Sequence, residues 1–321
     1  MRTNAMPSFW TRLLAWAAVV LLLPGCASLV PQTMDLRTDW PGGVPQQVDL
    51  AQVPFFAQRA YQCGPAAIGM AMAYSGVAVH PDALVDEVWV PSRHGSLQVE
   101  MLATPRRHGR VSYRLAPRYA DLLREVAAGH PVVVLQDIGF IGSTWHYAVV
   151  NGYDYATGTI LLRSGLQKQQ RMSFTAFERT WLQGGYWGMV VLPPGRIAAT
   201  ATEERWLEAL LGLARGGDVE ATVQAYAAAL QRWPDSLPAA IGLANHLHLR
   251  GALDEAATVL RTALQKNPQS VIVLNNLAQT LSDLGRHAEA LALLDRADRA
   301  QSPFASEVRA TRQRVESRMK R

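Results

Sequence analysis

Gly217, Gly251 and Gly285 stand 34 residues apart, and a strict period of that length restricts the C-terminal half to a stack of like units. Other positions keep the same phase. Leu213, Leu247 and Leu281 lie four residues before the glycines, and Ala229, Ala263 and Ala297 twelve after them. Leu243-Ala244 and Leu277-Ala278 recur ahead of the later two. Pro234 and Pro268 follow the first two glycines by seventeen residues, while the third unit has Ser302 there and Pro303 one later. Glycine suits a tight turn, alanine lets helices cross closely, and proline stops a helix. Each unit therefore reads as helix–turn–helix, since a generic bundle has no reason to repeat five positions at one interval.

The pattern resembles tetratricopeptide repeats. Three are expected over residues 203–303, the first departing with Ala209 and Thr222 where leucine and alanine belong, followed by a polar capping helix over 304–321. The resemblance implies a concave face that binds a protein partner. No residue identifies that partner.

At the other end, Arg2 and Arg12 accompany an apolar run from Leu13 to Pro24. Its length is that of a signal-peptide core, short of the roughly 20 apolar residues a spanning helix needs. The run ends in Leu23-Pro24-Gly25-Cys26, which resembles a lipobox. The resemblance implies that residues 1–25 are removed and that Cys26 takes the lipid, anchoring the chain to a membrane. With Ala27-Ser28 and no aspartate after the cysteine, the expected place in a Gram-negative cell is the outer membrane, facing the periplasm. Residues 26–46 are expected to be a tether.

Only Cys26 and Cys63 are present, so lipidation of the first leaves the second without an intramolecular partner. An exported thiol of that kind is either buried and inert or kept because it reacts. The rest of the composition is that of packed domains, with 49% apolar and 18% charged residues and a net charge of +5. The positive charge gathers at Arg106-Arg107-His108 and in the C-terminal tail, without a nucleic-acid-binding motif. No nucleic-acid partner and no cofactor is expected.

Residues 47–195 mix helices and strands, and Pro193-Pro194-Gly195 marks the change to Ala- and Leu-rich helix. The two halves are expected to fold as separate units. Gly64 and Pro65 suit a helix start, and Ile68 to Tyr74 is apolar on nearly every face, hence central. Cys63 then sits at the positive end of a buried helix, where partial charges are expected to lower its pKa. Gln58, five residues upstream, carries an amide able to donate to an oxyanion. Among the eight histidines, His146 opens an extended stretch from Trp145 to Asp154 that pairs as a hairpin with Thr159 to Ser164.

Gln58 to Ala67, together with His146-Tyr147-Ala148-Val149-Val150-Asn151-Gly152-Tyr153-Asp154, resembles the papain-like peptidases that process bacteriocin leaders at double-glycine sites. The resemblance covers roughly residues 48–194. It implies an α+β papain-like cysteine peptidase domain ahead of the all-α tetratricopeptide repeat domain. Carried over by position, Cys63 is the nucleophile, His146 the base and Gln58 the oxyanion donor, acting on a peptide or protein substrate.

The family's aspartate after the histidine strand is missing. Folding the hairpin about Tyr155 puts Ser164 opposite His146, on one face. Asp154 lies about 26 Å along the strand at ~3.3 Å per residue. Three outcomes stay open: Ser164 orients the imidazole weakly, Asp137 or Gln136 does so, or catalysis is lost. Three functions stay open as well: a membrane-anchored cysteine peptidase, an inactive peptidase-like scaffold binding partners through its repeats, and a thiol amidase or transferase on cell-wall peptides.

Overall fold

The computed structural model describes residues 30–58, 62–93, 95–298 and 302–320. The signal segment 1–25 and the lipidation residue Cys26 lie outside the described residues. The first described element is a helix, α1 (Pro31–Thr38), and then come β1 (Gln47–Asp49) and the apolar α2 (Cys63–Tyr74). A 3-10 turn at Pro81–Leu84 runs into the short α3 (Val85–Val88). The hairpin β2 (Trp89–Val90) and β3 (Gly95–Ser96) precedes α4 (Gln98–Arg107), β4 (Val111–Arg114), α5 (Tyr119–Ala127) and β5 (Val132–Asp137). The second half of the domain comprises β6 (Trp145–Asp154), β7 (Thr159–Ser164), β8 (Gln167–Ser173), α6 (Phe174–Gln183) and β9 (Gly188–Leu192).

The strands form one antiparallel sheet in the order β4-β9-β5-β6-β7-β8, with β1 on the β5 edge of β6, beyond the end of β5. Strand β9 lies inside the sheet, between β4 and β5. The sheet divides two cores. Val133, Leu135, Tyr147 and Val149 face α2, while Val132, Val134, Ala148, Val150 and Leu162 face α5 and α6. Helix α2 is apolar on every side because it is packed on every side. Gly64 is required there, since a Cβ would stand 2.0 Å from Ser96 Oγ.

From Glu203 the chain is helical. The helices α7 (Glu203–Arg215) and α8 (Val219–Arg232), α9 (Leu237–Leu249) and α10 (Leu253–Lys266), and α11 (Val271–Asp283) and α12 (His287–Asp298) form the three pairs, with α13 (Ala305–Met319) after them. The periodic glycines Gly217, Gly251 and Gly285 have φ of 87°, 84° and 79°, a left-handed turn between helices that other residues adopt at a cost. Thr202, Asp218, Ser236 and Ser270 cap the helices that follow them.

Two expectations about the boundaries are corrected. Residues 31–46 do not hang as a tether. Glu178 accepts from Gln32 N at 3.0 Å and Thr33 N at 2.6 Å, satisfying free N–H groups of α1. Leu36 is buried in the core, and Trp40 packs against Tyr155 at 4.6 Å. Nor does the first repeat form a separate core, although the later helices have one of their own around Leu260, Leu274, Leu277 and Leu294. Trp206, Leu210 and Leu213 of α7 share one apolar cluster with Val111, Tyr113 and Leu115, and Trp206 meets Tyr113 at 5.7 Å. The connection is locked by the fully buried Glu125, whose carboxylate takes His130 Nδ1 at 2.7 Å, Ala199 N at 3.1 Å, and Thr200 N and Oγ1 at 2.7 and 2.6 Å. Sequence periodicity marks where helices begin, but not which of their faces is shared with a preceding domain.

Candidate functional site

Hairpin geometry decides which side chains can meet. Near the turn, Asp154 pairs with Thr159 and Gly152 with Leu161; beyond Asn151 the register slips by one, and Val149 pairs with Arg163. Asn151 is the extra residue. Its carbonyl accepts from Leu50 N at 2.7 Å and its amide donates to Asp49 Oδ1 at 3.3 Å. A Cβ on Gly152 would stand 2.4 Å from Val48 O, so glycine admits β1 to this edge. Without the slip, Ser164 would face the same side as Val149, away from His146. With it, Ser164 falls opposite Ala148, diagonal to His146 on the same face. The expectation of direct opposition is therefore corrected, while the side chains do meet: His146 Nε2 lies 2.9 Å from Ser164 Oγ.

Asp137 and Gln136, the other candidates for orienting His146, are engaged elsewhere. Asp137 Oδ1 accepts from Gly139 N and Thr144 N, which hold its carboxyl below the usual range. Gln136 Nε2 donates to Thr180 Oγ1 at 2.6 Å.

Cys63 arrives from the opposite layer. Its thiol faces the main-chain N–H of Tyr147, the residue after His146, together with those of Gly64 and Cys63 itself. Burial outweighs these donors and pushes the thiol above its ordinary value. The expected lowering by the helix start is thus overturned, because a charge is penalised by desolvation more than oriented dipoles repay. Burial also pushes the His146 pKa down. Cys63 and His146 make no direct hydrogen bond here. With Nε2 on Ser164, the ring nitrogen left over is Nδ1.

Gln58 joins this group through the backbone: its N–H donates to Gly165 O at 3.1 Å, and its side-chain amide to Tyr147 O at 3.4 Å. Arg163 organises the same corner and escaped sequence reasoning. Its buried guanidinium donates to Val53 O, Ala51 O and Lys168 O, fixing the segment leading to Gln58 against the β7–β8 turn. The available signal was a single charge within Leu161-Leu162-Arg163-Ser164. Beside Gln58 opens a cleft of about 390 Å³ lined by Phe55, Phe56, Gln62, His80 and Leu166. Tyr147, Trp181 and Trp187 are buried core residues, whereas Trp145 is exposed. Among the described residues no cluster of His, Cys, Asp or Glu could hold a metal ion.

The free thiol of Cys63 at the start of a central helix faces the strand that carries His146, in an α+β domain followed by helical repeats. Residues 50–189 match the peptidase C39-like family, and residues 207–271 and 247–315 match tetratricopeptide repeat families. The chain therefore joins a C39-like peptidase domain to a tetratricopeptide repeat region. No curated protein matches it. Among solved structures, a protein from Bacillus anthracis described as a C39-like peptidase is 17% identical with a TM-score of 0.40, over 48% of this chain and 100% of that one. A MamA mutant and MamA MSR-1 are each 21% identical with TM-scores of 0.33, over 39% of this chain and 73% and 71% of theirs.

Proposed function

We propose that this protein is a lipid-anchored cysteine peptidase whose repeats recruit a substrate or partner protein. The observation that carries the reading is the imidazole's orientation. Ser164 holds Nε2 at 2.9 Å, which leaves Nδ1 to take a proton from Cys63, whose thiol faces the N–H of the next residue, Tyr147. In the reaction, the Cys63 proton passes to His146 as sulfur bonds to the scissile carbonyl carbon. Gln58 turns its amide from Tyr147 O to the oxyanion, and His146 returns the proton to the leaving amine. Water then hydrolyses the thioester. Cys26 carries the lipid, and the protein faces the periplasm from the outer membrane.

One set of observations favours an inactive scaffold instead: the raised thiol, the hydroxyl in place of a carboxylate and the lack of a direct Cys63–His146 bond. Labelling with a thiol-reactive peptide electrophile separates the two. A peptidase reacts at Cys63, reacts more slowly as His146→Ala, and reacts much faster with the peptide reagent than with iodoacetamide. Equal, His146-independent rates with both reagents would leave the scaffold.

A further inference from the structure

The loop between β5 and β6 holds large apolar side chains out in water. Phe140 is 100% exposed and Ile141 93%. The base of the loop is nevertheless built: Asp137 Oδ1 accepts from Gly139 N at 3.0 Å and Thr144 N at 2.7 Å, and Ile138 N donates to Thr144 O at 2.9 Å. Gly139 permits that closure, since a Cβ would stand 2.0 Å from Gly142 O. Trp145, at the start of β6, is 52% exposed, and Leu166, in the β7–β8 turn, 79%. The antiparallel register brings both to the same end of the sheet as the loop. Apolar side chains gathered at one end of a soluble domain mark a contact surface.

The chain enters the domain at this same end. Leu115 pairs with Gly188, and Gly188 with Val134, so Pro117 lies level with the end of β5. Gln32 donates to Pro117 O and accepts from Tyr119 N. Strand β4 stands two places from β5, roughly 10 Å at ~4.8 Å per strand. Cys26 precedes the buried Val30 by four residues, a reach of at most about 14 Å.

We propose that the Phe140–Ile141 loop inserts into the surface of the bilayer that holds Cys26. It forms a second membrane contact, which turns the Cys63–His146 end of the domain toward the lipid. The proposal rests on the lipoprotein reading above. The cleft beside Gln58 is lined by the half-buried Phe55 and Phe56 together with Leu166, and neither Phe140 nor Ile141 is part of its wall. Trp145, with an apolar ring and one N–H, suits the headgroup level beneath such a tip.

The test uses the chain from Ala27 onward, which keeps every described element and lacks the lipidation residue, mixed with phosphatidylethanolamine–phosphatidylglycerol vesicles. It is expected to cosediment, with Phe140→Ser/Ile141→Ser weakening partition at least about tenfold while circular dichroism stays unchanged. Phe140→Trp should add a blue-shifted emission that brominated acyl chains quench. No vesicle binding, partition insensitive to the double substitution, or unquenched emission overturns the proposal. So does a double variant that keeps vesicle binding but loses peptide turnover, which assigns the loop to substrate. None of these results bears on the anchor, which acyl labelling of the full-length chain reads separately.

Discussion

His146 Nε2 and Ser164 Oγ lie 2.9 Å apart, just beyond Val149 and Arg163, the last pair of the ladder between their strands. A diagonal contact of this kind holds a ring by one hydrogen bond and adds no charge to stabilise an imidazolium. Ser164→Ala should therefore lower turnover by about tenfold, the worth of one neutral hydrogen bond. Ser164→Asp should raise turnover and move the acidic limb of the pH–rate profile upward, because a carboxylate raises the His146 pKa. Steady-state kinetics with thermal melts of both variants check this. Loss of activity in Ser164→Asp at unchanged melting temperature would count against the orienting role.

The register behind that contact depends on the bulge at Asn151. Gly152→Ala is expected to push β1 off the sheet, because the new Cβ meets Val48 O, and to release the slip that turns Ser164 toward His146. Turnover should fall at least as far as in Ser164→Ala although the substituted residue touches neither group. Amide hydrogen exchange at Val48 to Leu50 reports the displacement directly.

Burial holds the resting pair neutral, with Cys63 raised and His146 lowered. Alkylation by iodoacetamide should reach half its maximal rate above the ordinary thiol range, whereas turnover should rise with pH through a limb below the ordinary histidine value and then level. A resting thiolate–imidazolium pair would instead give half-maximal alkylation within about 3.5–7.5. For stability the sign is set by His146. Its folded pKa is depressed, so its contribution is complete above the unfolded value of about 6.5 and is lost as pH falls through the folded one.

Glu125 ties the peptidase domain to the first repeat. Glu125→Ala strands His130 and three donors from Ala199 and Thr200, at a cost of about 3–5 kcal/mol. A fragment ending at Arg196 exposes Tyr113 and Val111 and should melt broadly or aggregate. A sharp transition in that fragment, matching the intact protein, would refute the shared core.

Cys26→Ser should leave the protein unacylated and release from membranes all but the fraction that the Phe140–Ile141 loop retains. Metabolic labelling with a palmitate analogue checks it, and a variant that still takes label would end the lipoprotein reading.

The sequence by itself determined what depends on neighbours a few residues apart. The 34-residue interval placed glycine at each left-handed turn, Gly64-Pro65 opened a buried helix at Cys63, and the Trp145–Asp154 and Thr159–Ser164 strands are those read from the residues. Strand β8 went unread because Gln167-Lys168-Gln169-Gln170-Arg171 is polar, as a sheet edge permits. The tertiary structure decided what depends on partners far along the chain. Asn151 and Asp49, 102 residues apart, hold the bulge that turns Ser164 toward His146. The same packing that brings Cys63 beside β6 also removes it from water, so burial, which no local motif encodes, reversed the pKa shift that the helix start alone implied. The fusion of the repeats to the sheet followed the same logic, since an amphipathic face such as that of Trp206 specifies that it must be covered, and only the fold supplies the cover.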